Sequence, residues 1–198
     1  MSITMLLIGI TAALSWLAFR NEQLLNKLLL WPAIMKDPKE LYRLLTAGFV
    51  HADSMHLIFN MLTLYFFGSY LEHYLPTEQY LSLYILGIIA ASIPSMLKQR
   101  DNVNYRSLGA SGGVAATVFA MIYVEPWSKL YIFFAIPVPS IVFAIGYLGY
   151  TAYMAKKGGV RVNHDAHLWG SVFGILFMLL VDPTHGASFF EQLKDFRF

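Results

Sequence analysis

The chain contains no cysteine, which excludes a disulfide framework, a thiolate metal site and a cysteine nucleophile. Charge is scarce too. Only 13% of the residues are Asp, Glu, Lys or Arg, against about 25% in an ordinary soluble domain. The formal net charge is +2 and no basic run occurs, so nothing points to nucleic acid as a partner. H-E-x-x-H is absent, and the histidines that could pair as ligands, His56 and His167, have no evident third partner. Neither a metal nor a cofactor is expected. No internal repeat or low-complexity stretch is present.

What the chain has instead is apolar length. Hydrophobic residues make up 57% of it and mean hydropathy is +0.54, gathered in long runs separated by short polar loops, the pattern of a multi-span membrane protein. The runs are too continuous for barrel strands, and lipid then permits only helices. They predict an all-α membrane protein, one transmembrane domain over residues 1–198, with spans at 3–19, 53–71, 79–97, 109–124, 130–154 and 167–181. The first run has neither a basic segment before it nor an A-x-A-like cleavage site, so it reads as a retained span. Residues 20–52 carry LLLWPAIM among lysines and read as an amphipathic piece lying in the interface. Pro76 breaks the turn at 72–78, Gly158-Gly159 opens the last loop, and Pro137 and Pro139 are expected to kink the fifth span. The sequence leaves open whether 183–198 forms a helix.

Spans two, four and six run in one direction, so their N-terminal ends face one side of the membrane. At those ends stand His56 with Asn60, Ser111, and His167. Polar groups inside spans are costly and mark function. From Ser111 to the end of its run a helix would extend only about 21 Å at 1.5 Å per residue. The run after His167 is similar, so both residues are expected below the near surface of a ~30 Å core, beside water.

Serine is a weak nucleophile and needs a base within hydrogen-bond reach. Ser111 lies in Gly109-Ala110-Ser111-Gly112-Gly113 where a loop becomes a helix, and a helix start offers unpaired amides suited to an oxyanion. The same small residues would serve close helix packing. Gly170 and Gly174 share a helix face with His167; that stripe would let the last span approach Gly112, Gly113, Ala115 and Ala116 and carry His167 toward Ser111. His164 competes as base but is expected in the loop. Asp165 is too close in sequence to share a helix face with His167, so a dyad is favoured over a triad. His56 and Asn60, four apart, can both donate hydrogen bonds to an oxyanion; gluing helices is their other reading. His51 lies off that face and is assigned a structural role.

The stretch YRLLTAGFVHADSMHLIFN at 42–60, the Gly109-Ala110-Ser111-Gly112 run and Ala166-His167-Leu168-Trp169-Gly170 together resemble the rhomboid intramembrane serine proteases. The resemblance implies a six-helix core that cleaves transmembrane protein substrates within the lipid bilayer. It assigns Ser111 as nucleophile, His167 as general base, and His56 and Asn60 to oxyanion stabilisation. Tyr42-Arg43 stands where the family more often has Trp-Arg. Position 115, where some members carry a tyrosine packed on the base, is alanine, so what orients His167 is left open.

Eleven of the fourteen Lys and Arg fall in loops on the Ser111 side, which by the positive-inside rule would turn that side to the cytoplasm. The family expectation is the opposite. It implies a bacterial inner membrane protein with the site on the extracytoplasmic face. The rival readings are an inactive scaffold that binds membrane helices, a transporter, and a soluble G-x-S-x-G hydrolase; the last needs a strand before the serine and an α/β sheet, neither of which the apolar runs permit. Oligomeric state is not readable.

Overall fold

The computed structural model describes residues 2–132, 135–157 and 162–194. Helix α1 spans Ile3–Phe19, capped by Ser2, whose hydroxyl accepts from the Met5 amide. The carboxylate of Glu72 accepts from the Ile3 and Thr4 amides, an anion held against the positive end of α1. Along α1 the buried residues are Thr4, Leu7, Thr11, Ser15 and Ala18, while Met5, Leu6, Ile10, Trp16 and Leu17 point outward. Apart from Leu7, small and hydroxylated side chains lie inside and large apolar ones outside. Such a surface is built for lipid, because helices in lipid associate through small residues and interhelical hydrogen bonds.

Short helices α2 (Glu22–Leu28) and α3 (Arg43–Thr46) follow. Residues 20–52 are therefore partly helical. Leu30 and Met35 are buried with Ala47. Arg43 donates from Nη1 to the Asn26 and Leu29 carbonyls at 2.7 and 2.9 Å and from Nε to Glu40 at 2.6 Å. Tyr42 and Thr46 donate to the Lys27 and Leu28 carbonyls. The Tyr42-Arg43 pair thus satisfies the exposed C-terminal carbonyls of α2.

Helix α4 (Ser54–Thr63) runs through a π turn at 64–68 into α5 (Ser69–Tyr74), and α6 spans Thr77–Lys98. Helix α7 (Ser111–Val124) is the centre of the molecule. Twelve of its residues are buried, from Gly112 to Val124, so it has no outward face, as expected of a helix that is apolar all round. It lies against α6 and the helix at 164–181.

The expected helix at 130–154 is corrected. Residues Lys129–Ile132 and Ile136–Pro139 form an antiparallel hairpin, β1 and β2, with Lys129 opposite Pro139 and Ile132 opposite Ile136. Helix α8 begins only at Ser140 and continues to Lys157. Aromatic and β-branched residues suit strands as well as lipid-facing helix. Pro137 and Pro139 lie in β2 rather than kinking a helix, in keeping with proline's missing donor. The Ser140 and Ile141 amides donate to the Ser128 and Pro126 carbonyls at 2.8 Å each, which closes the start of α8.

Helix α9 spans His164–Val181 and α10 spans Pro183–Lys194; Gly158 and Gly159, expected to open the preceding loop, lie outside the described residues. The small face of α9 seats on α7: a Cβ at Gly170 would run into the Gly112 carbonyl and one at Gly174 into that of Ala116. The anticipated glycine contact is therefore present at Gly112 and Ala116, whereas Gly113 faces Ile88 and Tyr84 of α6. Across the far end of α7, α10 stacks Phe189 on Tyr123 with ring centroids 5.3 Å apart.

Among the described residues, α6 and α9 are each long and apolar enough to cross a membrane alone. Helices α1 and α7 are shorter apolar helices.

Candidate active site

The turn into α7 is made by Gly109, whose φ of +119° is left-handed and favours glycine. A side chain there would also collide with the His56 ring, since its Cβ would lie 2.9 Å from Nε2. The Gly109 amide donates to the Ala47 carbonyl at 2.9 Å. The Ala110 amide donates to His51 Nε2 at 3.2 Å. The first helical bond of α7 runs from the Val114 amide to the Ala110 carbonyl. Between them the amides of Ser111, Gly112 and Gly113 have no partner among the described residues, as at any helix start.

His51, assigned only a structural role, is wholly buried and anchors this turn. Its Nε2 accepts from Ala110, so the proton is on Nδ1, which lies 3.0 Å from Ser15 Oγ. Ser15 in turn donates to the Phe49 carbonyl. A directed chain of hydrogen bonds therefore runs from the residue before Ser111 through His51 to α1. Burial, reinforced by the neighbouring His56, lowers the His51 imidazole to about 3, with Asp53 acting in the opposite sense.

His56 enters the site from the first turn of α4, which Asp53 caps by accepting from the His56 amide at 2.8 Å. Its ring meets that of His51 edge-on at 4.9 Å. Asn60, one turn on, is buried; its Nδ2 donates to the His56 carbonyl at 2.9 Å, leaving one amide hydrogen for another acceptor.

His167 is in the second turn of α9. That helix is capped by Asn163, whose Oδ1 accepts from the Ala166 amide at 3.1 Å. The Asn163 Nδ2 donates to Ser95 on α6 and to Ser107 before α7, both at 2.9 Å. One side chain thereby ties the start of α9 to the loop that delivers Ser111. The cap also moves the helix start, so the expectation for His164 is corrected. His164 lies in the first turn of α9, not in the loop, and is buried. Asp165 forms an ion pair with Lys98 on α6.

Ser111, His167 and His56 line two adjoining cavities. One of about 1110 Å³ opens between the 99–109 loop and the start of α9. The other, about 320 Å³, is walled by Asn60, Ala115, Phe119, Phe143 and Tyr147. No hydrogen bond joins Ser111 to His167 among the described residues. The arrangement combines a hydroxyl, an imidazole, three unpaired amides and two side-chain donors around space for a peptide and water. Acyl transfer through serine needs those groups.

Two residues in contact with the site's elements were not found in the sequence. Asn163 carries a detectable signal, an Asn immediately before an apolar helix. Tyr147 carries none. Its ring lies parallel to the His167 imidazole, 15° between planes and 6.2 Å between centroids.

Comparison with known proteins follows the same lines. The model of the Rhomboid domain matches residues 38–183. The chain is 28% identical over 171 residues to RHOMBOID-like protein 12, mitochondrial, of Arabidopsis thaliana, covering 79% of this chain and 51% of that one. It is 32% identical over 137 residues to Rhomboid protein 1, mitochondrial, of Saccharomyces cerevisiae (66% and 39%). It is 26% identical over 186 residues to Rhomboid protease GlpG of Photorhabdus laumondii (93% and 62%). The chain thus spans less than two thirds of the length of each of these relatives.

Proposed function

Because the chain belongs to the rhomboid family of integral membrane proteins, we propose that it is an intramembrane serine protease. It would hydrolyse peptide bonds in or near the transmembrane helices of membrane-protein substrates. The observation that carries this reading is the meeting of Ser111, His167 and His56 on the walls of both cavities, beside the unpaired amides that begin α7. Ser111 Oγ attacks the scissile carbonyl while His167 takes its proton. His167 then returns that proton to the leaving amine. The tetrahedral oxyanion is held by the free amides of Ser111–Gly113 with His56 and the spare amide hydrogen of Asn60. Water then enters by the larger cavity and attacks the acyl carbon as His167 takes its proton, and His167 returns that proton to Ser111 Oγ as the C–Oγ bond breaks and the acid leaves. Apo catalytic hydrogen bonds are commonly long and tighten with substrate.

In this reading α1, the α4–α5 rod, α6, α7, α8 and α9 are the six crossings, and residues 20–52 lie in the interface. The inverted packing of α1 and the outward Ile145, Leu176 and Leu180 support it. Helix α7 is too short to cross by itself, and its enclosure by other helices removes the need. Relatives named as mitochondrial weigh against assigning a bacterial inner membrane from family alone, so location is read only as integral to a membrane.

The test is labelling of the purified protein with a fluorophosphonate, together with cleavage of a single-span model substrate. Both are expected in the wild type and lost in Ser111→Ala and His167→Ala. Cleavage undiminished in Ser111→Ala would sink the assignment. Folded wild-type protein that neither labels nor cleaves would favour a catalytically silent scaffold.

A further inference from the structure

We propose that Tyr147 of α8 is the positioning residue for the His167 imidazole, so that the base is in register only while α8 is seated on α9. The inference rests on the dyad reading above.

The ring nitrogens of His167 have no hydrogen-bond partner among the described residues. The carboxylate nearest in sequence, Asp165, is taken by Lys98. No hydrogen bond therefore fixes the imidazole plane, His164 meets the ring only edge-on with centroids 6.0 Å apart, and a ring turning about its χ angles would meet Ser111 in few of its orientations. What lies against the ring is aromatic. Tyr147 stacks on it with planes 15° apart, within the 4.5–7 Å centroid range in which offset rings attract. Tyr147 is itself held from behind, stacked on Phe143 at 5.4 Å and 26° and tilted against Phe119 of α7 at 5.8 Å. Phe143, Tyr147 and His167 thus form one continuous pile. Ala115, on the wall of the same cavity, is small enough to leave the space free.

The helix that supplies this ring is lightly held. Of α8 only Ser140, Ala144 and Thr151 are buried, while Val142, Ile145, Tyr150 and Tyr153 face outward. A second contact of the same kind, Tyr150 edge-on to His164 at 5.4 Å, lies one turn along both helices. The two tyrosines of α8 therefore clasp the two histidines of α9. Any displacement of α8 that widens the cavity toward Phe59 and Phe143 withdraws the ring from the base, so that the seat of α8 and the readiness of His167 are one variable.

The experiment compares wild type, Tyr147→Phe and Tyr147→Leu in proteoliposomes, with thermal unfolding recorded for each. Tyr147→Phe keeps the ring and should label with fluorophosphonate at the wild-type rate. Tyr147→Leu keeps bulk but not the stack. It should lose on the order of 10- to 100-fold in labelling rate and kcat, the range that misplacement of a catalytic group produces, with KM unchanged and the unfolding midpoint close to that of Tyr147→Phe. Equal labelling by wild type and Tyr147→Leu would overturn the proposal, as would an equal loss in Tyr147→Phe or a loss that tracks the unfolding midpoint. If the wild type itself does not label, the protease reading fails instead, which separates the two failures.

Discussion

His51 accepts a hydrogen bond through Nε2 from the backbone amide of Ala110, 3.2 Å away and one residue before Ser111. The imidazole has to be neutral to do this, because its Nδ1 proton is committed toward Ser15 Oγ, 3.0 Å away on α1. The position of Ser111 is therefore referred back to the first helix by way of a buried histidine that is not part of the proposed chemistry.

Replacing His51 by Ala should strip the Ala110 amide of its acceptor inside the protein. A buried donor left unsatisfied costs about 1–3 kcal/mol, so the unfolding midpoint in detergent is expected to fall. Fluorophosphonate labelling of Ser111 should slow with it. His51→Gln, whose side-chain carbonyl can accept in place of Nε2, should recover part of both losses. Identical behaviour of the two variants would show that the hydrogen bond is not what matters.

The same residue makes stability depend on pH. The folded chain protonates His51 only near pH 3, while an imidazole in the unfolded chain does so near 6.5. Between these values the unfolded state binds a proton that the folded state does not. The contribution is complete above pH 6.5, is eroded as pH falls toward 3, and changes no further below that. Between pH 7.5 and 4.5 the wild-type unfolding midpoint should thus drop further than that of His51→Gln, in which position 51 does not titrate.

The helices were legible because apolar runs are the strongest signal a membrane protein sequence carries, and Ser111 and His167 because polar residues inside such runs are rare. The hairpin before α8 was not. LYIFFAIPVP at 130–139 is as apolar as a span, and run length cannot tell a strand from helix there. His164 was misplaced by the three residues between the apolar run and the Asn163 cap. Tyr147 was invisible for a different reason. It is one of twelve tyrosines, and its meaning depends on the rotation of α8 against α9, which no local pattern encodes.

Asp165 is the carboxylate a triad would call on, and its ion pair with Lys98 argues that it serves α6 instead. Asp165→Asn should leave labelling within about a factor of two of wild type, against the ~10⁴-fold loss that follows removal of a triad carboxylate. Rates of substrate cleavage by the two proteins decide between these outcomes.

For the oxyanion, His56→Ala and Asn60→Ala should each reduce kcat by about 10²–10³, the usual effect of removing one donor, with a smaller change in KM. Asn60 already spends one amide hydrogen on the His56 carbonyl. Its loss therefore combines a helix contact with a catalytic one, so the unfolding midpoint of Asn60→Ala is recorded beside its kcat. A defect confined to KM would assign these residues to substrate binding instead.

The last prediction concerns the packing that brings α9 to α7. Gly170 and Gly174 face the carbonyls of Gly112 and Ala116, and a methyl at either would meet backbone, which cannot swing aside as a side chain can. Gly146 and Gly149 on α8 are also helical, yet a Cβ at either would find nothing within 4 Å. Glycine in a helix interior is about 1 kcal/mol less favourable than alanine, while overpacking a close contact costs about 1–3 kcal/mol. Gly→Ala should therefore have opposite signs at the two sites. Gly146→Ala is expected to raise the unfolding midpoint. Gly170→Ala should lower it and also slow Ser111 labelling, since pushing α9 from α7 withdraws His167 from the serine. A stabilising Gly170→Ala would mean that the two helices have room to part without cost.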